Sequence, residues 1–133
     1  MTEKDKELLL QDLCGRLPYG VKCSFGVDDT VYEITGINPT CCGASEIQAT
    51  HVKSSINGDF RLNSCKPYLF PLSSMTEEQS MEFALLQVNT HKDGFLYVCD
   101  CANMMKWLLK NHFDIYGLIE KGLAIDATSL NIY

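Results

Sequence analysis

Two prolines, Pro67 and Pro71, divide this 133-residue chain into a strand-patterned half and a helix-patterned half. Each disfavours helix in the residue before it. Tyr68-Leu69-Phe70 is therefore expected to be extended, with Tyr68 and Phe70 on one side and Leu69 on the other. Because proline cannot donate to a ladder, the segment is expected at a sheet edge or in a surface crossing. A helix signal follows at once. Thr76 and Gln79 have the spacing of a capping box, and Glu77 and Glu78 place negative charge at the positive end of the helix dipole.

Upstream of this joint, Thr2 is the expected N-cap of a first helix over about residues 3–14. Leu9, Leu10, Leu13 and Leu17 form its buried stripe, with Lys4, Lys6, Glu7 and Asp12 largely outside. Gly15 suits a left-handed C′ position, and Pro18 stops the helix. Val21, Cys23 and Phe25 alternate with Lys22 and Ser24 as in a half-buried strand. Val27 to Thr30 is a turn, residues 31–37 a second strand, Asn38 to Ala44 a loop, and residues 46–56 a third strand. Asn57-Gly58 signals a hairpin. A two-residue loop would mix apolar and polar groups on each face. A three-residue loop from Asn57 to Asp59 pairs Ile56 with Phe60 and puts Val52 and Leu62 on the same face, so the longer loop is expected, with a fourth strand over 60–65.

Downstream, residues 77–89 are expected as a second helix with Met81, Ala84, Leu85 and Val88 inward and Phe83 and Leu86 flanking. His91 to Gly94 is a turn, and Phe95 to Cys99 an interior strand. Asp100 caps a helix over 101–111 with an apolar face of Met104, Met105, Trp107 and Leu108. Asp114 caps a short fourth helix ended by Gly122, with Leu123 against Leu118 as in a Schellman motif. The tail over 124–133 is left between irregular structure and a short edge strand. The expected fold class is α+β in a single domain over 1–133: an N-terminal helix, an antiparallel meander of four to five strands, and a helical C-terminal half with one returning strand.

The net charge of −6 is spread unevenly, with 7 basic and 9 acidic residues in 1–66 against 4 and 8 in 67–133. No Lys/Arg cluster offers a counterion-releasing patch, so nucleic acid is not an expected partner. No apolar run approaches the ~18 residues of a membrane span. The charged start, Met1 to Glu7, lacks a signal-peptide pattern, so a cytoplasmic location is expected. The seven cysteines should then be reduced thiols.

Zinc would need four nitrogen or sulfur ligands in a tetrahedron. Cys41, Cys42, Cys65, Cys99, Cys101, His51 and His91 are the available groups, but their pairs are adjacent or one apart, and neighbours in a strand face opposite ways. No metal or cofactor is expected. A cysteine- or zinc-dependent hydrolase would use Cys99 or Cys101 with His91 or His112 as base and Asp100 or Asp114 to orient it. No protease or transferase signature surrounds these residues, and the scattered glycines form no phosphate loop. The reading that fits best is a protein-binding patch of Tyr68, Phe70, Trp107 and Tyr116, set against simple packing between the two halves. An acidic inhibitor that mimics nucleic acid is a further alternative.

Two stretches, Lys66 to Glu78 and Phe113 to Ala124, resemble segments of small uncharacterised proteins of gut-bacterial prophages and mobile elements. That resemblance carries no catalytic or binding residues. It implies a bacterial or phage cytoplasmic protein. The acidic charge, the absence of a coherent catalytic constellation and the aromatic segment add the expectation of a non-enzymatic accessory protein of a phage or mobile element that acts through a protein partner.

Overall fold

Thr2 begins the first helix with a complete capping box. The Asp5 amide donates to Thr2 Oγ1 at 3.1 Å, and the Thr2 amide donates to Asp5 Oδ2 at 2.9 Å. The computed structural model describes residues 1–26, 30–38, 46–89 and 98–133, without the side chains of 87–89 and 98–100. Helix α1 spans Glu3–Arg16 and buries Leu9 and Leu13 completely. It also buries Asp12 and Arg16, so the expected outward place for Asp12 is corrected. Gly15 lies inside α1 instead of ending it. A Cβ there would come within 3.3 Å of Leu109, so glycine allows a close approach to the third helix. The left-handed residue is Gly20 (φ +73°), after a 3-10 turn over Leu17–Tyr19 that contains Pro18.

The sheet has strands β1 (Lys22–Ser24), β2 (Tyr32–Ile37), β3 (Ile47–His51), β4 (Asn57–Phe60), β5 (Lys66–Leu69) and β6 (Ile125–Asp126), in the order β4-β3-β2-β1-β5-β6. All neighbouring pairs are antiparallel except β5 with β6. Helices α2 (Glu77–Asn89) and α3 (Val98–Lys110) follow β5. The fold is thus α+β as expected: an N-terminal helix, a six-strand mostly antiparallel sheet, two helices in the C-terminal half, and a returning parallel strand. No helix among the described residues is long and apolar enough to cross a membrane. The core joins Leu9 and Leu13 of α1 to Val21, Cys23, Phe25, Ile34, Ile47, Ala49, Leu69 and Leu118.

The hairpin differs from its expected register. β3 stops at His51, and Asn57-Gly58 lies inside β4, with Ile47 opposite Phe60 and Thr50 opposite Asn57. The reversal occurs earlier, over Val52 to Ser55. His51 Nδ1 accepts the Ser54 amide at 2.9 Å and the Lys53 amide at 3.2 Å. Ser55 is left-handed (φ +58°) and donates its amide to the His51 carbonyl. Val52 and Ile56 end up exposed, and Phe60 instead stacks on Phe25 at 3.9 Å. The imidazole that ties this turn outweighs the Asn-Gly signal.

The joint is not an edge, because β5 lies between β1 and β6. Pro67, fully buried, sits opposite Cys23. On the other side the pairing begins past the proline, with Tyr68 opposite Ile125 and Leu69 opposite Asp126. The returning strand is therefore 125–126. Of the strand expected over 95–99, Val98 and Cys99 belong to α3 and the rest lies outside the described residues. So do the expected turn at 91–94 and most of the turn over 27–30 and of the loop over 38–44, while Asp100 lies within α3 and does not precede it. The expected fourth helix is a single closed turn. Asp114 caps it through both oxygens, accepting the Leu118 and Ile119 amides at 2.8 and 3.0 Å. Leu123 N–H donates to Leu118 O and Gly122 N–H to Ile119 O, the two bonds of a Schellman motif.

Candidate interaction surface

Helix α2 starts where its sequence says it should. The Thr76 amide donates to Gln79 Oε1 at 3.0 Å, and the Gln79 amide donates to Thr76 Oγ1 at 3.2 Å. Its rotation about its own axis is set by one partner ring. Phe83 lies 5.4 Å from Trp107 of α3, and Trp107 Nε1 donates to Glu82 at 3.2 Å. At about 100° per residue, Phe83 points some 200° away from Met81, so packing one turns the other out. Leu86 is half-buried beside Phe83, whereas Ala84 is exposed. Met81 is 66% exposed and Leu85 63%. The expected inner stripe of Met81, Ala84 and Leu85 is therefore the outer face of α2. The side chain of Val88, the fourth member, lies outside the described residues.

Trp107 stacks on Phe113 at 5.8 Å, and Phe113 meets Phe70 edge-on at 6.4 Å. The aromatic run thus leads from α2 through α3 to the joint. At its base α3 ends in a Schellman motif. Phe113 N–H donates to Leu108 O, His112 N–H donates to Leu109 O, and His112 occupies the left-handed position (φ +62°) usual for glycine. The His112 ring stacks on Tyr133 at 3.6 Å, and the Tyr133 hydroxyl joins two strands by accepting the Lys22 amide and donating to Tyr68 O. Burial, reinforced by Arg16 and Lys22, lowers the pKa of His112 to about 4. Burial likewise pushes the Tyr133 phenol up.

Arg16 ties this base to α1. Its Nε and Nη2 donate to the two Asp12 oxygens at 2.7 and 2.8 Å, and Nη2 also donates to the Phe113 carbonyl at 2.5 Å. Burial raises the Asp12 pKa even though Arg16 pulls it down. The pair was legible as an i,i+4 acid–base couple, and Asp12 and Arg16 fall on the face of Leu9 and Leu13. The signal was in the spacing.

The structure places the four expected patch residues apart. Tyr68 is buried, and Phe70, Trp107 and Tyr116 are half-buried. Phe70 and Trp107 meet through Phe113, while Tyr116 packs on the core. Packing, not contact with solvent, occupies most of these rings. Cys101 is exposed near the start of α3 and His112 follows its end, so eleven steps along helix and cap separate them by about 16 Å. That span is far beyond the hydrogen-bond reach a base and nucleophile require. His51 is engaged in its turn. Cys23 and Cys65 are buried, and burial together with the Cys65 thiol pushes the Cys23 pKa up. Cys41, Cys42, His91 and the Cys99 side chain lie outside the described residues. Among the described residues, no group of three or more His, Cys, Asp or Glu side chains is placed to hold a metal. In comparisons with known proteins the chain matches no family model, no curated protein and no solved structure.

Proposed function

We propose that this chain is a non-enzymatic accessory protein that binds a protein partner through the outward face of α2. The observation that carries the reading is the pair Met81 and Leu85, one helical turn apart and each more than three-fifths exposed. A helix that buried only for its own fold would turn such residues inward. Here Trp107 holds the helix by its other side, so the apolar face is kept out without loss of packing. Covering one such side chain contributes about 1.5–3 kcal/mol, enough for a stripe of them to anchor a partner. A cytoplasmic location belongs to the same proposal, supported by free thiols at Cys14, Cys23, Cys65 and Cys101. An origin in a phage or mobile element rests on the resemblance of Lys66 to Glu78 and Phe113 to Ala124 to prophage and mobile-element proteins.

A photo-crosslinking residue at position 85 in expressing cells would identify the partner, which is then purified and titrated against the chain. Met81→Ser/Leu85→Ser is expected to weaken that binding at least tenfold with the unfolding midpoint unchanged. Full affinity in the double variant would remove the face from the account.

A further inference from the structure

We infer that the outward face of α2 takes a basic amphipathic segment of another protein, apolar side on Met81 and Leu85, cations on Glu77 and Glu78. This rests on the interaction reading above and adds the chemistry of the occupant. Glu77–Asn89 contains three glutamates and no lysine, arginine or histidine. Glu77 and Glu78 stand four and three residues before Met81, so they continue the same face at its N-terminal end. Both are exposed. The ion pairs among the described residues are Lys6–Glu3 and Asp12–Arg16, so no cation among the described residues pairs with either glutamate. Glu82, on the flank, is engaged by Trp107. A second copy of the chain is a poor occupant, because it would set one acidic helix against another in a molecule of net charge −6. A partner with cations beside apolar residues satisfies both parts of the face. From Glu77 to Leu85 the stripe runs about 12 Å, so two to three turns of a helix cover it.

The test uses a synthetic helical peptide of leucine and lysine in amphipathic repeat, about 14 residues long, and its leucine–glutamate counterpart. Binding is measured by titration calorimetry, with sedimentation run on the chain alone. The Leu/Lys peptide is expected to bind, to weaken as salt is raised, and to lose about tenfold in affinity to Glu77→Lys/Glu78→Lys. Met81→Ser/Leu85→Ser should abolish binding, and the Leu/Glu peptide should not bind the unaltered chain. If the glutamate variant binds the Leu/Lys peptide as before while the serine variant does not, the charge assignment is overturned and the face itself stands. If neither peptide binds and the chain sediments as a dimer that the serine variant dissolves, the occupant is a second copy and the inference is wrong. Equal binding of both peptides to every variant also overturns it, since the contact is then not on α2.

Discussion

Helices α1 and α2 begin alike and end differently. Each opens with a threonine capping box, Thr2 with Asp5 and Thr76 with Gln79. Each carries an apolar stripe that sequence spacing directs inward. In α1 the stripe is fully buried at Leu9 and Leu13, and burial reaches the charged Asp12 and Arg16 beside it. In α2 the stripe is exposed at Met81, Ala84 and Leu85. Local signals determine that a helix forms and where it starts. Which way it faces depends on what stands beside it. α1 has the sheet and the 112–114 segment to fill, whereas α2 has one large ring, Trp107, that captures Phe83.

The contrast can be broken most severely at Asp12. Asp12→Ala leaves the Arg16 guanidinium buried without its carboxylate and is expected to cost about 3–5 kcal/mol in urea unfolding. Replacing both by apolar residues, Asp12→Leu/Arg16→Met, should recover most of that loss. A cost below ~1 kcal/mol for the single change would mean that solvent reaches the pair.

A smaller effect tests the base where the end of α3 is tied to α1. The folded pKa of His112 is depressed to about 4 from 6.5. An unfolded chain takes up the proton near 6.5 and the folded chain resists it. The group's contribution is therefore complete above pH 6.5 and is lost as pH falls from 6.5 to 4. Since solvent reaches part of the ring, the loss is expected at about 1–2 kcal/mol, less than the full shift implies. His112→Asn, which tolerates the left-handed backbone, should show a flatter stability profile across that window. Parallel profiles would remove the role of burial at His112.

The caps sharpen the comparison from the other side. Thr2→Ala and Thr76→Ala should each cost about 1 kcal/mol, because the lost side-chain acceptor is the same. If only Thr2→Ala destabilises the chain, α2 is not part of the cooperative unit. The smallest effect is expected on the stripe of α2 itself. Leu85→Ser should change stability by no more than about 0.5 kcal/mol, as surface changes do, whereas a core leucine such as Leu13 cut to alanine costs about 2–5.

Much of this architecture was legible in the residues. The caps at Thr2 and Thr76, the Schellman closure at Gly122 and the burial of Val21, Cys23 and Phe25 were all readable from nearby residues, and all are present, although Ser24, expected outward, is buried as well. The failures have two causes, a competing local turn and a long-range contact. Asn57-Gly58 lost to a turn tied by the His51 ring, and Pro67 is enclosed by a strand that returns more than fifty residues later. The candidate surface was the least legible part. The spacing of Met81, Ala84 and Leu85 marks an apolar face equally well whether it packs or is presented, and only the capture of Phe83 by Trp107 decides between the two.

The claim that α2 presents its apolar stripe is tested most directly by hydroxyl-radical footprinting of the free chain with residue-level mass spectrometry. Met81 and Leu85 are predicted to label at the rate of free side chains, with Leu9 and Leu13 protected. The Leu/Lys peptide should then shield the first pair without changing the second. Protection of Met81 and Leu85 in the free monomer, to the level of Leu9 and Leu13, would contradict the account.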